Sequence, residues 1–309
     1  MEVDIAIIGS GPAGLTAGIY ALRKGLKIKA LEKKMAGGNT ADSVLVENYP
    51  GFKAIKGIEL AQKMQEHFEA LGGIPEEGIE VREAKKEGNE FALKLSDGNA
   101  LKARAIIIAT GTTHKKLRAE NAEKLEGKGI HYCATCDGPL YRDRVVAVIG
   151  GGNSGVTNAL FLADICKKVF LLEYNDRLRA DPVYFEELKQ KGVEVITSAE
   201  VFALEGEEKV TGLKYRERKT GQEKELELDA VFVYVGLKPN SEIASQLGCK
   251  TSEHGYITTD SWMRTSVEGV FAAGDITGNF AQTVVACGQG AVASESAYQY
   301  LNNPRAAKS

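Results

Sequence analysis

Two cysteines separated by two residues, Cys133-Ala134-Thr135-Cys136, form the one obvious redox motif of this chain, and Asp137 follows directly. Thiols at that spacing close a small disulfide, and local donors can hold one of them as a thiolate. Asp137 is placed to give a proton to a departing thiolate; the plainer role of an Asp before Gly138-Pro139 is turn chemistry. The competing reading is half of a zinc site, which needs about four ligands. No second C-x-x-C exists, His131 is the histidine nearest in sequence, and Cys166, Cys249 and Cys287 are scattered singletons. No metal is expected, and the three single cysteines read as structural.

A second kind of chemistry is written twice. Gly9-Ser10-Gly11-Pro12-Ala13-Gly14 follows the apolar run Val3–Ile8, and Gly150-Gly151-Gly152-Asn153-Ser154-Gly155 follows Val145–Ile149. Each leads into a helical pattern and then another apolar run ending in an acid, Glu32 and Glu173, 18 positions beyond the third glycine in both copies. Glycine-rich turns alone are weak evidence, but strand, glycine loop, helix and terminal carboxylate together form a dinucleotide fingerprint. The first glycine makes the tight turn, the second lets a pyrophosphate approach the backbone, and the third lets helix pack on strand. Helix amides then hold phosphate charge, and the carboxylate takes ribose hydroxyls. The spacing predicts two dinucleotide sites; the rival is one working site and one structural copy.

These loops must be carried by α/β units with parallel sheets. Ala105–Ala109 reads as a buried strand ending in Thr110-Gly111, with a polar linker at 112–116. Leu213–Glu217 and Glu225–Leu228 flank Thr220-Gly221 as a hairpin. Ala230–Val235 is a further buried strand before a second linker at 236–240, and a short strand within 269–275 precedes a long helix over Thr283–Leu301. The second Rossmann-like three-layer domain is therefore expected to be inserted in the first: residues 1–114 with 243–309, and 115–242 carrying the cysteine pair.

Composition bounds the rest. With 309 residues, about two domains are expected. A 43% hydrophobic and 26% charged content is that of an ordinary globular protein. Thirty-four glycines exceed the usual ~7% and point to many tight turns or close ligand approaches. A net charge of −3 excludes a broad basic footprint, so no nucleic-acid partner is expected. No apolar run reaches the ~18–20 residues of a membrane helix, no signal peptide is visible, and five cysteines are too few for a disulfide scaffold. A cytoplasmic protein is the simplest expectation.

Taken in order, the two glycine loops, 47–52 (ENYPGF), 109–111 (ATG), Cys133–Gly138 and 265–275 (TSVEGVFAAGD) resemble the low-molecular-weight thioredoxin reductases from end to end. The resemblance implies an outer domain that binds FAD through Gly9, Gly11, Pro12, Ala13 and Gly14, with Glu32 on the adenosine ribose. Gly38, Asn48, Thr110, Gly111, Gly274, Asp275 and Gln282 would line the rest of that site. It implies that Cys136 receives electrons from the flavin, that Cys133 attacks the disulfide of thioredoxin or a glutaredoxin-like protein, and that Asp137 is the acid. It implies a homodimer, and a rotation of the inserted domain that alternates nicotinamide and dithiol at the flavin.

One departure concerns the electron donor, whose nucleotide would lie on Gly150, Gly152, Asn153, Ser154, Gly155 and Glu173. NADPH-using members carry His-Arg-Arg and a further Arg after the second Rossmann strand, to grip the 2′-phosphate. Here the segment reads Glu173-Tyr174-Asn175, with only Arg179 kept. A carboxylate ~4 Å from a phosphate charge costs roughly 1–4 kcal/mol at effective dielectrics of 80 to 20. NADH is therefore expected over NADPH. The alternatives are a non-nicotinamide donor such as reduced deazaflavin or ferredoxin, an NADH-dependent reductase for a peroxide-reducing partner, and a nucleotide-sensing binding protein without catalysis. Ala281, where many relatives have Arg, is expected to weaken one flavin contact.

Overall fold

The structure is a computed structural model, and it describes residues 2–302. Its described residues divide into two compact units: residues 2–41, 46–113 and 238–302 belong to the first, and residues 42–45 with 114–237 form the second.

The first unit is organised by the strand Ala100–Ile108, whose residues from Ala105 to Ile108 have no solvent exposure. Such continuous apolar runs are what a parallel sheet covered on both faces requires. Among the described residues this strand belongs to a seven-stranded sheet, and it is shared along its length. Its first half pairs antiparallel with Glu90–Leu95, while Ile106 to Ile108 pair in parallel with Val270–Ala272. Its other edge pairs in parallel with Glu2–Ile8, which in turn pairs with Ile28–Glu32. The helices Pro12–Arg23 and Thr283–Asn302 pack against each other, with Gly290 set directly on the Ala13 carbonyl where no side chain would fit. No helix among the described residues is long and apolar enough to cross a membrane.

The second unit holds a five-stranded parallel sheet. Val145–Ile149 lies between Lys168–Leu172 and Ala230–Val233, and Ile130–His131 extends the edge beside the latter. Ala199–Glu205, Gly212–Glu217 and Glu223–Glu227 form an antiparallel three-stranded sheet. The hairpin therefore gains a third strand that the sequence pattern did not single out. The two polar segments read as linkers contain short strands, Thr112–His114 and Leu237–Pro239, that pair with each other.

Candidate functional site

Both glycine loops are built alike. Gly9 has a φ of +103° and Gly150 of +118°, backbone that glycine adopts without steric cost. A side chain on either would strike a carbonyl, that of Ala109 in the first unit and of Tyr234 in the second. Gly14 and Gly155 sit against the carbonyl oxygens of Gly9 and Gly150 with no room for a Cβ. The Gly9 and Gly150 amides donate to the Leu31 and Leu172 carbonyls, each at 2.8 Å. Gly11 and Gly152 start their helices without a side-chain cap, which leaves first-turn amides open to an anion.

The two acids that end the next strands close these loops in the same manner. Glu32 accepts the Ser10 amide at 2.8 Å and the Lys34 amide at 2.9 Å. Glu173 accepts the Gly151 amide at 2.6 Å and the Asn175 amide at 2.8 Å, with the Asn175 side chain on the same oxygen. The copies differ in access. Glu32 is partly exposed, whereas Glu173 is 2% exposed. The segment after Glu173 folds back, so that Arg179 and Ala180 donate to the Gly151 carbonyl and Asp181 exchanges two hydrogen bonds with Asn153. Ser154 stays exposed one residue further on.

Several other expected residues of the first unit lie against its loop, while Asn48 and Gln282 are placed only against each other. Gly38 faces Gly11 so closely that a Cβ on it would lie 3.2 Å from the Gly11 Cα. Gly274 packs on Ala13, while Pro12 occupies the first helical turn. Thr110 and Gly111 are tied to Asn240: the Thr110 hydroxyl donates to its carbonyl, and its side chain and amide donate to the Thr110 and Gly111 carbonyls. Asn48 donates to Gln282 at 2.9 Å. Burial pushes the Asp275 carboxyl above the usual aspartate range, and a hydrogen bond from Asn39 opposes this. Ser10 is fully buried, and its hydroxyl has no protein partner among the described residues. That orphaned hydroxyl, the bare backbone between Gly11 and Gly38 and the open helix amides together fit a dinucleotide pyrophosphate.

The redox motif lies in the second unit. Cys133 and Cys136 form a disulfide with Cα atoms 5.3 Å apart. Cys133 caps the short helix Ala134–Asp137, and its Sγ accepts the Cys136 amide at 3.2 Å and lies 3.2 Å from the Thr135 hydroxyl. Donors aimed at one sulfur favour its anion. The pair is anchored by Ala134, which is fully buried and whose amide donates to the Tyr234 hydroxyl at 3.1 Å. Burial pushes the Tyr234 phenol upward, so it remains a neutral partner. Asp137 Oδ2 lies 3.1 Å from His131 Nδ1.

Sequence reasoning did not single out Ser10, Asn240, Tyr234 or Asp42. An oxygen of Asp42 lies within 4.8 Å of both sulfurs, in the 42–45 segment that packs with this unit. Because the two sulfurs are bonded to each other, this trio offers a metal no thiolate ligand. Cys166, Cys249 and Cys287 are free; burial pushes Cys166 up to about 11 and raises Cys249, which suits packed, unreactive thiols.

The pyridine nucleotide-disulphide oxidoreductase family matches residues 3–290. The chain belongs to this family. It falls in the low-molecular-weight thioredoxin reductase class and is an FAD-dependent disulfide oxidoreductase. It is 38% identical over 302 residues to a 34.2 kDa protein in a rubredoxin operon of Clostridium pasteurianum, covering 97% of each chain. It is 39% identical over 301 residues to thioredoxin reductase of Listeria monocytogenes, covering 96% of this chain and 93% of that protein. The crystal structure of T. acidophilum thioredoxin reductase is similar with a TM-score of 0.93 at 44% identity, covering 96% and 98% of the two chains.

Proposed function

We propose that the protein reduces the disulfide of thioredoxin or a glutaredoxin-like protein, with NADH as the electron donor. The observation that carries this reading is the Cys133–Cys136 disulfide with donors converging on the Cys133 sulfur. Gly9, Gly11, Pro12, Ala13, Gly14, Glu32, Gly38, Asn48, Thr110, Gly111, Gly274, Asp275 and Gln282 of the first unit would hold FAD, which when bound would supply two-electron chemistry between donor and disulfide. Cys136 is the sulfur that receives those electrons. Cys133 leaves as a thiolate, steadied by the Cys136 amide and the Thr135 hydroxyl, and Asp137 supplies its proton. Cys133 then attacks the partner's disulfide as a thiolate, its proton passing to the partner's departing sulfur, and Cys136 resolves the mixed disulfide. Cys136→Ser abolishes thioredoxin-reducing turnover while the protein stays yellow; full turnover in that variant sinks the mechanism.

The donor assignment rests on the likeness between Glu173 and Glu32. Each is a strand-end carboxylate holding its own glycine loop, suited to a ribose with both hydroxyls free and unfavourable to a 2′-phosphate. Gly150, Gly152, Asn153, Ser154 and Gly155 would meet the pyrophosphate. Anaerobic mixing with NADH bleaches the oxidised flavin band quickly, and mixing with NADPH does so far more slowly. One observation favours a second reading: Glu173 is 2% exposed with both oxygens engaged. If neither nucleotide bleaches a protein that dithionite reduces, the donor is non-nicotinamide, with reduced deazaflavin and ferredoxin to be tried next. A homodimer in the cytoplasm completes the reading, on the family resemblance.

A further inference from the structure

With a hydride donor, the electron pair and one of the dithiol's two hydrogens come from the donor, so one further proton must come from solvent for each disulfide reduced. The assignment of Asp137 as the acid, on which this inference rests, accounts for one transfer and leaves Asp137 ionised. A second donor has to restore it.

His131 is built for that task. Its Nδ1 lies 3.1 Å from Asp137 Oδ2 and its Nε2 lies 2.8 Å from the Tyr141 hydroxyl. The ring packs against Tyr141 and Phe232, with centroids 5.2 and 5.3 Å away, in a three-ring cluster, and its side chain is only 11% exposed. An imidazole bonded at both nitrogens can accept a proton at one and release another from the other without rotating. Tyr141 in turn lines a surface cleft of about 340 Å³ together with Lys128, Arg144, Lys209 and Asp229. Burial, and the charges of Asp137 and Asp229, raise the Tyr141 phenol, so it carries its proton at neutral pH.

We propose that Tyr141 and His131 form a proton relay that serves Asp137 from this cleft. The Asp137 carboxyl protonates a sulfur anion and becomes a carboxylate. His131 gives its Nδ1 proton to that carboxylate while Nε2 takes the Tyr141 hydroxyl proton, water in the cleft restores Tyr141, and the imidazole returns to its Nδ1–H tautomer before the next turnover. The net transfer is one proton from solvent to sulfur, with no change in electron count. His131 touches no sulfur in this scheme and acts through Asp137.

The test uses the flavin-loaded enzyme with thioredoxin as substrate. His131→Ala lowers kcat about 10- to 100-fold, in line with the size of general-acid effects, with little change in KM for thioredoxin. Added imidazole restores much of that rate. Tyr141→Phe keeps both the ring packing and the His131–Asp137 bond, and it lowers kcat several-fold with a changed solvent isotope effect. A wild-type kcat in Tyr141→Phe, or no rescue of His131→Ala by imidazole, overturns the relay. If His131→Ala does not fold, Tyr141→Phe decides alone. Asp137→Asn separates the two readings: wild-type turnover there removes Asp137 as the acid, whereas a slow Asp137→Asn beside an unaffected Tyr141→Phe removes only the relay.

Discussion

Glu173 holds the amide of Gly151 at 2.6 Å, the relation that Glu32 has with Ser10 at 2.8 Å in the first unit. In both, an acid at the end of one strand fixes the loop that follows its neighbour, so the carboxylate has a structural task before any ligand arrives. Burial separates the two. Glu173 is enclosed by its own following segment, with Leu178 lying against Gly151, whereas Glu32 keeps an open side.

Removing that carboxylate should therefore cost stability as well as selectivity. Glu173→Ala leaves the Gly151 and Asn175 amides without their acceptor. About 1–3 kcal/mol of unfolding free energy is expected to be lost. Urea titration of the variant against the parent measures it, and an unchanged midpoint would show the hydrogen bonds to be dispensable. In the same variant, the repulsion of roughly 1–4 kcal/mol toward a 2′-phosphate disappears, so the preference for NADH over NADPH narrows.

The glycines of the second loop separate folding from ligand approach. Gly155 has no room for a Cβ against the Gly150 carbonyl, while a Cβ on Gly152 meets nothing within 4 Å. Gly155→Ala is expected to lower the melting temperature sharply. Gly152→Ala is expected to melt like the parent yet to slow flavin reduction by the nucleotide, because its methyl group occupies the phosphate approach. Melting curves and anaerobic reduction rates on the pair check this. A Gly152→Ala enzyme reduced at the parental rate argues against nucleotide use at that loop.

Much of this arrangement was legible in the residues because its causes are local. A φ near +110° or a missing Cβ can be met only by glycine, so the loops declare themselves at Gly9, Gly14, Gly150 and Gly155. The buried strands declare themselves through unbroken apolar runs. What could not be read depends on residues far apart in the chain. Nothing near Ala134 says that its amide needs the hydroxyl of Tyr234, 100 residues later, or that Asn240 will bind Thr110 from 130 residues away. The strands Thr112–His114 and Leu237–Pro239 look like linkers because three polar or mixed residues show no alternation; their pairing exists only once the fold brings them side by side.

The anchor under the disulfide is open to a direct test. Tyr234→Phe keeps the ring and removes the acceptor of the buried Ala134 amide. A loss of about 1–3 kcal/mol in unfolding free energy is expected. Because Ala134 sits between the two cysteines, a slower reaction of the reduced dithiol with thioredoxin should accompany it. A variant as stable and as fast as the parent would show that the amide finds another partner.

Asp275 gives a prediction with a definite pH sign. Burial raises its folded-state value above the ordinary aspartate range, so the folded chain holds this proton more tightly than the unfolded chain does. Stability from this group is therefore fully present below the unfolded value and is lost as pH rises through the folded one. In flavin-free protein, Asp275→Asn should match the parent at low pH and melt at a higher temperature from weakly acid pH upward. A melting difference that is constant across pH would show that ionisation is not the cause. The flavin site proposed above implies the opposite sense for the loaded enzyme: a carboxylate that takes a hydrogen bond from the bound nucleotide would recover its desolvation cost on binding. The amide should therefore bind flavin roughly 10- to 100-fold more weakly, as the loss of a hydrogen bond to a charged group implies. Flavin titration of the two apoproteins measures that loss, and equal affinities would remove Asp275 from the flavin site.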